Sequence, residues 1–314
     1  MKALLYSNKE ICIDFNISLH TPTNTLAVTF TERGNRELEG PGFGTEALTK
    51  YGIDVISVKT RQDAWYQNLT SDIISSVALF LSRLRPRYQA ITGYGSSMGA
   101  YAAMRFSKLL DLDQVLALSP VHGIHYPWDM RWAQDLPADS SFEPMTKADI
   151  STKTHFFTVF DPKSLDARHA DLYRKIIAPD ALHEIHTPYS GHPSSYFLRD
   201  VGMLSQLATT IIKTGSFPHK KIKRTQAAGP APKTYLFNLA NACLDRNKPK
   251  VALAIAEQLL ERNDRYADFY MIKAKAFRLL GDRSSALDAC YRAAELNPSN
   301  PHYLLFAEHF LKTA

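Results

Sequence analysis

The chain has 314 residues and a mass of 35.3 kDa; 45% of its residues are hydrophobic and 22% charged, with 37 Lys and Arg against 31 Asp and Glu. That length gives room for about two domains with sizeable cores, and the composition excludes a wholly disordered or collagen-like chain. No apolar run reaches about 18 residues, so no membrane-spanning helix is expected. The first residues, MKALLYSNKEICIDFN, carry no long apolar stretch followed by a small-residue cleavage site, so no secretory signal is expected. Three widely spaced cysteines, Cys12, Cys243 and Cys290, fit a reduced, cytoplasmic chain better than a disulfide scaffold or a zinc site.

In chain order, 4–6 and 11–15 read as an edge hairpin and 25–31 (TLAVTFT) as a β-branched apolar strand. A short helix over 45–51 ends at Gly52, and 53–58 (IDVISV) is a strand. Helical spacing runs over 69–84 and stops before Pro86. Then come a strand at 88–94, a helix at 98–110, strands at 114–118 and 154–160, a helix at 166–177, a strand at 182–187 and a helix at 196–214. Short, nearly continuous apolar strands alternating with helices predict an α/β domain with a mostly parallel sheet covered on both faces.

From 215 to 232 (GSFPHKKIKRTQAAGPAP) the periodic pattern disappears, and proline, glycine and a basic run at 219–224 replace it. This predicts a linker between a domain at 1–214 and another at 233–314. The basic run has no interleaved aromatics, so a solvated linker rather than nucleic-acid binding is expected. Beyond it the pattern is purely helical and repeats every 34 residues, in blocks 233–266 and 267–300. Small residues recur at matching places, Ala240 and Ala274, then Ala252 and Ala286, with Ala293 and Pro298 closing the second block. Residues 301–312 read as a further helix. This spacing resembles the tetratricopeptide repeat, in which small residues let antiparallel helices approach. The resemblance implies a surface that docks a protein partner or an extended substrate.

The motif that carries chemistry is Gly95-Ser96-Ser97-Met98-Gly99, a G-x-S-x-G between an apolar strand and the helix AYAAM. A sharp strand-to-helix turn lifts the central serine into a strained backbone conformation, and glycines two before and two after keep side chains off the turn. The helix N-terminus then aims free N–H groups at a developing oxyanion. Ser96 lacks the symmetric glycine flanks, so Ser97 is the expected nucleophile.

Residues 1–214 therefore resemble the α/β-hydrolase superfamily, whose triad follows the chain order nucleophile, acid, histidine. The resemblance implies Ser97, Asp161 at the end of THFFTVFD, and His192 in the loop PYSGHP. Asp166, five residues beyond Asp161, is the second choice for the acid, with a helix cap as its other reading. It also implies an oxyanion hole from the amides of Met98 and, after the third strand, Thr31. The His-Gly-Gly-Gly string of many lipases is absent.

Trp65 and Tyr66, just after a strand, are expected to contact substrate, alongside the alternative that they pack in the core. Residues 122–149, with Trp128, Met130 and Trp132, are the place for a small lid or a merely anchored loop. The expected activity is hydrolysis of an ester through an acyl-serine, with a small-molecule, glycan or glycoprotein O-acyl ester as substrate and no metal or organic cofactor. The alternatives are a thioesterase or peptidase with the same triad, or a non-catalytic scaffold working through its repeats.

Overall fold

In the computed structural model, eight strands join in one sheet of order β1-β2-β4-β3-β5-β6-β7-β8. The residues described are 1–19, 24–136, 142, 144–222 and 230–312. The strands are β1 (Lys2–Ser7), β2 (Ile11–Asn16), β3 (Thr25–Phe30), β4 (Asp54–Thr60), β5 (Ala90–Ser96), β6 (Gln114–Leu118), β7 (His155–Phe160) and β8 (Leu182–His186). β1 and β2 form an antiparallel hairpin, and β2 runs antiparallel to β4; all pairs from β4 through β8 are parallel.

Parallel strands need crossover helices on both faces, and this explains why β3, β4 and β6 are buried at every position rather than alternating. The crossovers are α1 (Thr45–Lys50), α2 (Ser71–Leu84), α3 (Met98–Arg105) and α4 (Asp166–Ile176), followed by α5 (Ser194–Asp200) and α6 (Leu204–Thr214). α2 buries Ile74, Val77 and Leu81, spaced three and four apart, so one stripe meets the sheet. The single helix expected over 196–214 is two, because Gly202 with φ of 71° interrupts it.

The chain divides into two compact units, Met1–Ala227 and Ala228–Ala314. The expected linker begins too early. Lys220 O accepts from the His186 amide and His186 O from the Ile222 amide, at 2.9 and 2.8 Å, and Ile222 is fully buried. Residues 220–222 thus extend the edge of β8; 223–229, including the end of the basic run, lie outside the described residues.

The second unit comprises α7 (Lys233–Asp245), α8 (Pro249–Arg262), α9 (Ala267–Leu280), α10 (Arg283–Leu296) and α11 (His302–Lys312), each packed on the next. Ala240, Ala252, Ala274, Ala286 and Ala293 are all fully buried, at the points where the helices approach. The three cysteines are buried and unbridged. Among the described residues no helix is long and apolar enough to cross a membrane.

Candidate active site

Ser97 stands between β5 and α3 at φ 53°, ψ −112°, a strained conformation for a residue with a side chain. Its glycine flanks are required by space. A Cβ on Gly95 would lie 2.3 Å from the carbonyl of Gly99, and one on Gly99 would lie 2.3 Å from the carbonyl oxygen of Phe30. Ser96 points elsewhere, its hydroxyl 3.1 Å from that of Ser195. The Ser97 hydroxyl oxygen is 2.7 Å from Nε2 of His192.

His192 sits in the loop after β8, and its Nδ1 is 3.0 and 2.9 Å from the two carboxylate oxygens of Asp166. An ionised carboxylate only accepts, so Nδ1 carries the proton and Nε2 accepts from the serine hydroxyl. Burial pushes the Asp166 carboxyl up, but the His192 imidazole and the Arg131 guanidinium outweigh it and hold the group below its ordinary value.

The acid beside His192 is therefore Asp166, not the expected Asp161. Asp161 is also buried, but its oxygens are taken by backbone amides: Lys163 at 2.8 Å, Tyr189 at 3.0 Å and Gly191 at 2.9 Å. Burial raises its carboxyl above the ordinary value against those three bonds. Asp161 instead ties the turn at the end of β7 to the loop that carries His192. The expectation that Asp166 caps a helix fails as well: Leu165 holds the N-cap position, and Asp166 is the first residue of α4.

The two amides expected to face an oxyanion differ in what they bond. Met98 is the first residue of α3, so its amide has no partner within the helix. Thr31 does not fit, because its amide donates to the Val58 carbonyl at 3.3 Å as the last rung between β3 and β4. The next amide, that of Glu32, turns toward its own carboxylate. Burial raises the Glu32 carboxyl, opposed by that amide and by Arg199, and its Oε2 is buried without a hydrogen-bond partner among the described residues.

Trp65 and Tyr66 are core residues rather than a substrate platform. Both have positive φ, 51° and 59°, and are fully buried or nearly so, at 0% and 2% exposure. The indole N–H of Trp65 donates to Asp135 at 3.0 Å, and its ring meets Tyr101 and Trp132 edge-on. The Tyr66 hydroxyl lies 3.0 Å from both Oγ1 and O of Thr31. The polar ends that made the pair look like a ligand platform are satisfied inside the protein.

The segment after β6 lies against the site. Arg33 holds Asp135 with two 2.7 Å bonds, and the Trp132 ring is 4.8 Å from that of His192. Trp128 stacks on Tyr126, while Met130 is exposed. The expected lid is thus anchored by Trp128 and Trp132 from within; residues 137–141 and 143 lie outside the described residues. His122 is buried beside Tyr126, and burial lowers it to about 4. Among the described residues no group of three or more His, Cys, Asp or Glu is placed to hold a metal ion.

No protein-family model matches the sequence, and no curated protein matches it. Solved structures do. The capsule O-acetyltransferase of Neisseria meningitidis serogroup A is similar with a TM-score of 0.50 and 8% identity, over 67% of this chain and 93% of that one. A sugar hydrolase from Lactococcus lactis is similar with a TM-score of 0.48 and 12% identity, over 68% of this chain and 98% of that one. A serine hydrolase without lid from Xanthomonas campestris is similar with a TM-score of 0.42 and 15% identity, over 67% of this chain and 91% of that one. At such identities the likeness is one of fold. The sheet order, the crossovers and the strand-to-helix turn at Ser97 are those of the α/β-hydrolase fold, followed in this chain by a separate helical unit.

Proposed function

We propose that the first unit is a serine hydrolase that cleaves an ester through an acyl-serine, with Ser97 as nucleophile, His192 as base and Asp166 as the orienting acid. One observation carries the reading: an unbroken hydrogen-bonded line from a strained, elbow-mounted serine through a single imidazole to a buried carboxylate. His192 Nε2 takes the Ser97 proton as Oγ attacks the carbonyl carbon, and later returns it to the leaving oxygen. Asp166 keeps the tautomer and stabilises the imidazolium that forms. The Met98 amide, at the N-terminus of α3, stabilises the oxyanion. Water, activated by the same imidazole, then releases the acid.

Oxygen esters, thioesters and amides all pass through the same kind of tetrahedral intermediate, so the same line serves each. An O-acylated glycan or glycoprotein is the first substrate class to try, since the Neisseria protein with this fold is a capsule O-acetyltransferase. The helical unit is proposed to be a tetratricopeptide-like module that docks a protein partner or extended substrate, a reading supported by fully buried alanines recurring at a 34-residue spacing. The test is a panel of p-nitrophenyl esters, matching thioesters and acetylated oligosaccharides. Turnover of short-chain esters with an initial burst, abolished in Ser97→Ala, is expected; a folded protein that turns over none of the panel argues for the scaffold reading.

A further inference from the structure

The bonded line does not stop at Asp166. Its Oδ1, which faces His192 Nδ1, also accepts from Nη2 of Arg131 at 3.1 Å. Arg131 is held from behind by a second carboxylate: its Nε and Nη2 donate to Asp129 at 2.9 and 2.7 Å. Asp129 is buried, and its Oδ2 accepts from Nε2 of the fully buried His169 at 2.9 Å. The His122 amide donates to Nδ1 of His169, so the His169 proton is on Nε2 and the ring is a neutral donor. The guanidinium also lies 4.3 Å above the Trp132 ring, the ring that packs on His192.

A surface arginine gains little from one carboxylate. Here a planar fork is fixed on three sides, by Asp129, Asp166 and an indole face, which is the geometry in which arginine cannot be exchanged for lysine without loss. The charges that face His192 and its acid can be named element by element. α4 supplies Asp166 and His169; the segment after β6 supplies Asp129 and Arg131; the end of β7 supplies Asp161, on which the Asp166 charge acts. The elbow supplies only the Ser97 hydroxyl. Among the described residues, Arg131 is the cation bonded to Asp166, set against the carboxylates of Asp129, Asp161 and Asp166.

We propose that Arg131 is a positioning residue of the site, clamped by Asp129 and His169 so that it fixes the Asp166 carboxylate against the His192 imidazole. The inference rests on the hydrolase reading above. Without the cation, the surrounding carboxylates would stabilise the imidazolium, and the base would be lost at a higher pH.

The test is the pH dependence of phosphonylation of the full chain by a fluorophosphonate, a single covalent event that needs the neutral base. In Arg131→Gln the acid limb of the rate profile is expected to move up by about one pH unit, the low end for loss of a nearby opposite-sign neighbour of the acid. Arg131→Met, which keeps the stacking on Trp132, is expected to move it the same way and carries the reading should Arg131→Gln not fold. Arg131→Lys keeps the charge, so its limb stays near the wild-type position while its plateau falls. A limb that stays put in folded Arg131→Gln or Arg131→Met, with only the plateau scaled down, overturns the inference and leaves the hydrolase reading standing. A wild type that does not label removes the hydrolase reading itself, and the inference with it.

Discussion

The Gly191 amide donates to the buried Asp161 carboxylate at 2.9 Å, one residue before His192. Tyr189, two residues earlier, donates to the same side chain at 3.0 Å, and both loop residues have positive φ. Asp161 therefore sets the shape of the loop, while Asp166 touches the ring. The two acids should separate cleanly on mutation. Asp166→Asn is expected to lower kcat roughly ten-thousand-fold with little effect on stability, because the amide favours the wrong imidazole tautomer. Asp161→Asn sets an amide donor against backbone donors, and is expected to cost about 1–3 kcal/mol of stability with a far smaller fall in kcat. Kinetics and thermal unfolding of the two variants check this; a larger kcat loss in Asp161→Asn would reverse the assignment.

Gly99 and Gly95 touch backbone, not adjustable side chains. A methyl on either would lie 2.3 Å from a carbonyl oxygen, so the elbow itself would have to open. Gly99→Ala is expected to destabilise the first unit by more than about 3 kcal/mol, at or beyond the upper end of ordinary overpacking. Gly34→Ala, at a glycine with open space around it but φ of 87°, should cost only about 1 kcal/mol. Denaturant unfolding of the two variants gives the comparison.

Much of this was legible in the sequence, and the reasons lie in particular residues. The strands of the parallel sheet are apolar on both faces, so their limits show in composition alone, and G-x-S-x-G fixes its serine because only that spacing clears the Phe30 and Gly99 carbonyls. The acid was not legible. Asp161 and Asp166 flank one turn, and which one reaches the ring depends on backbone amides from a loop about 28 residues away. Trp65 and Tyr66 misled for a similar reason: a positive φ at both turns the rings inward, and no side-chain pattern marks that. Arg131 lies in an aperiodic segment, so nothing in its neighbours announced a contact with an acid 35 residues on.

Glu32 links the site to stability. Its carboxyl is raised, chiefly by burial, so the folded state holds the proton more tightly than the unfolded chain does. Folding is then disfavoured above the unfolded value and relieved as pH falls below it. Glu32→Gln should be more stable than wild type at pH 7, with the difference gone near pH 4. A gain of about 1 kcal/mol would appear as roughly 2–4 °C in Tm. Thermal melts at both pH values check the sign; equal stability at pH 7 contradicts it.

The edge of β8 predicts where the first unit can be cut. Ile222 is fully buried and bonded to His186, so a chain ending after residue 222 should stay folded and keep the proposed esterase activity. One ending at Gly215 exposes that edge and loses the isoleucine, a loss of about 1.5–3 kcal/mol from burial alone. Thermal melts of the two chains should differ accordingly, and equal melts would show that residues 220–222 add nothing.

The most direct measurement of the central claim is intact-mass and peptide mapping after treatment with a fluorophosphonate. The account predicts one adduct per chain, on the peptide that contains Ser96 and Ser97, lost in Ser97→Ala and kept in Ser96→Ala. A folded wild type that takes up no label, or whose label survives Ser97→Ala, would contradict it.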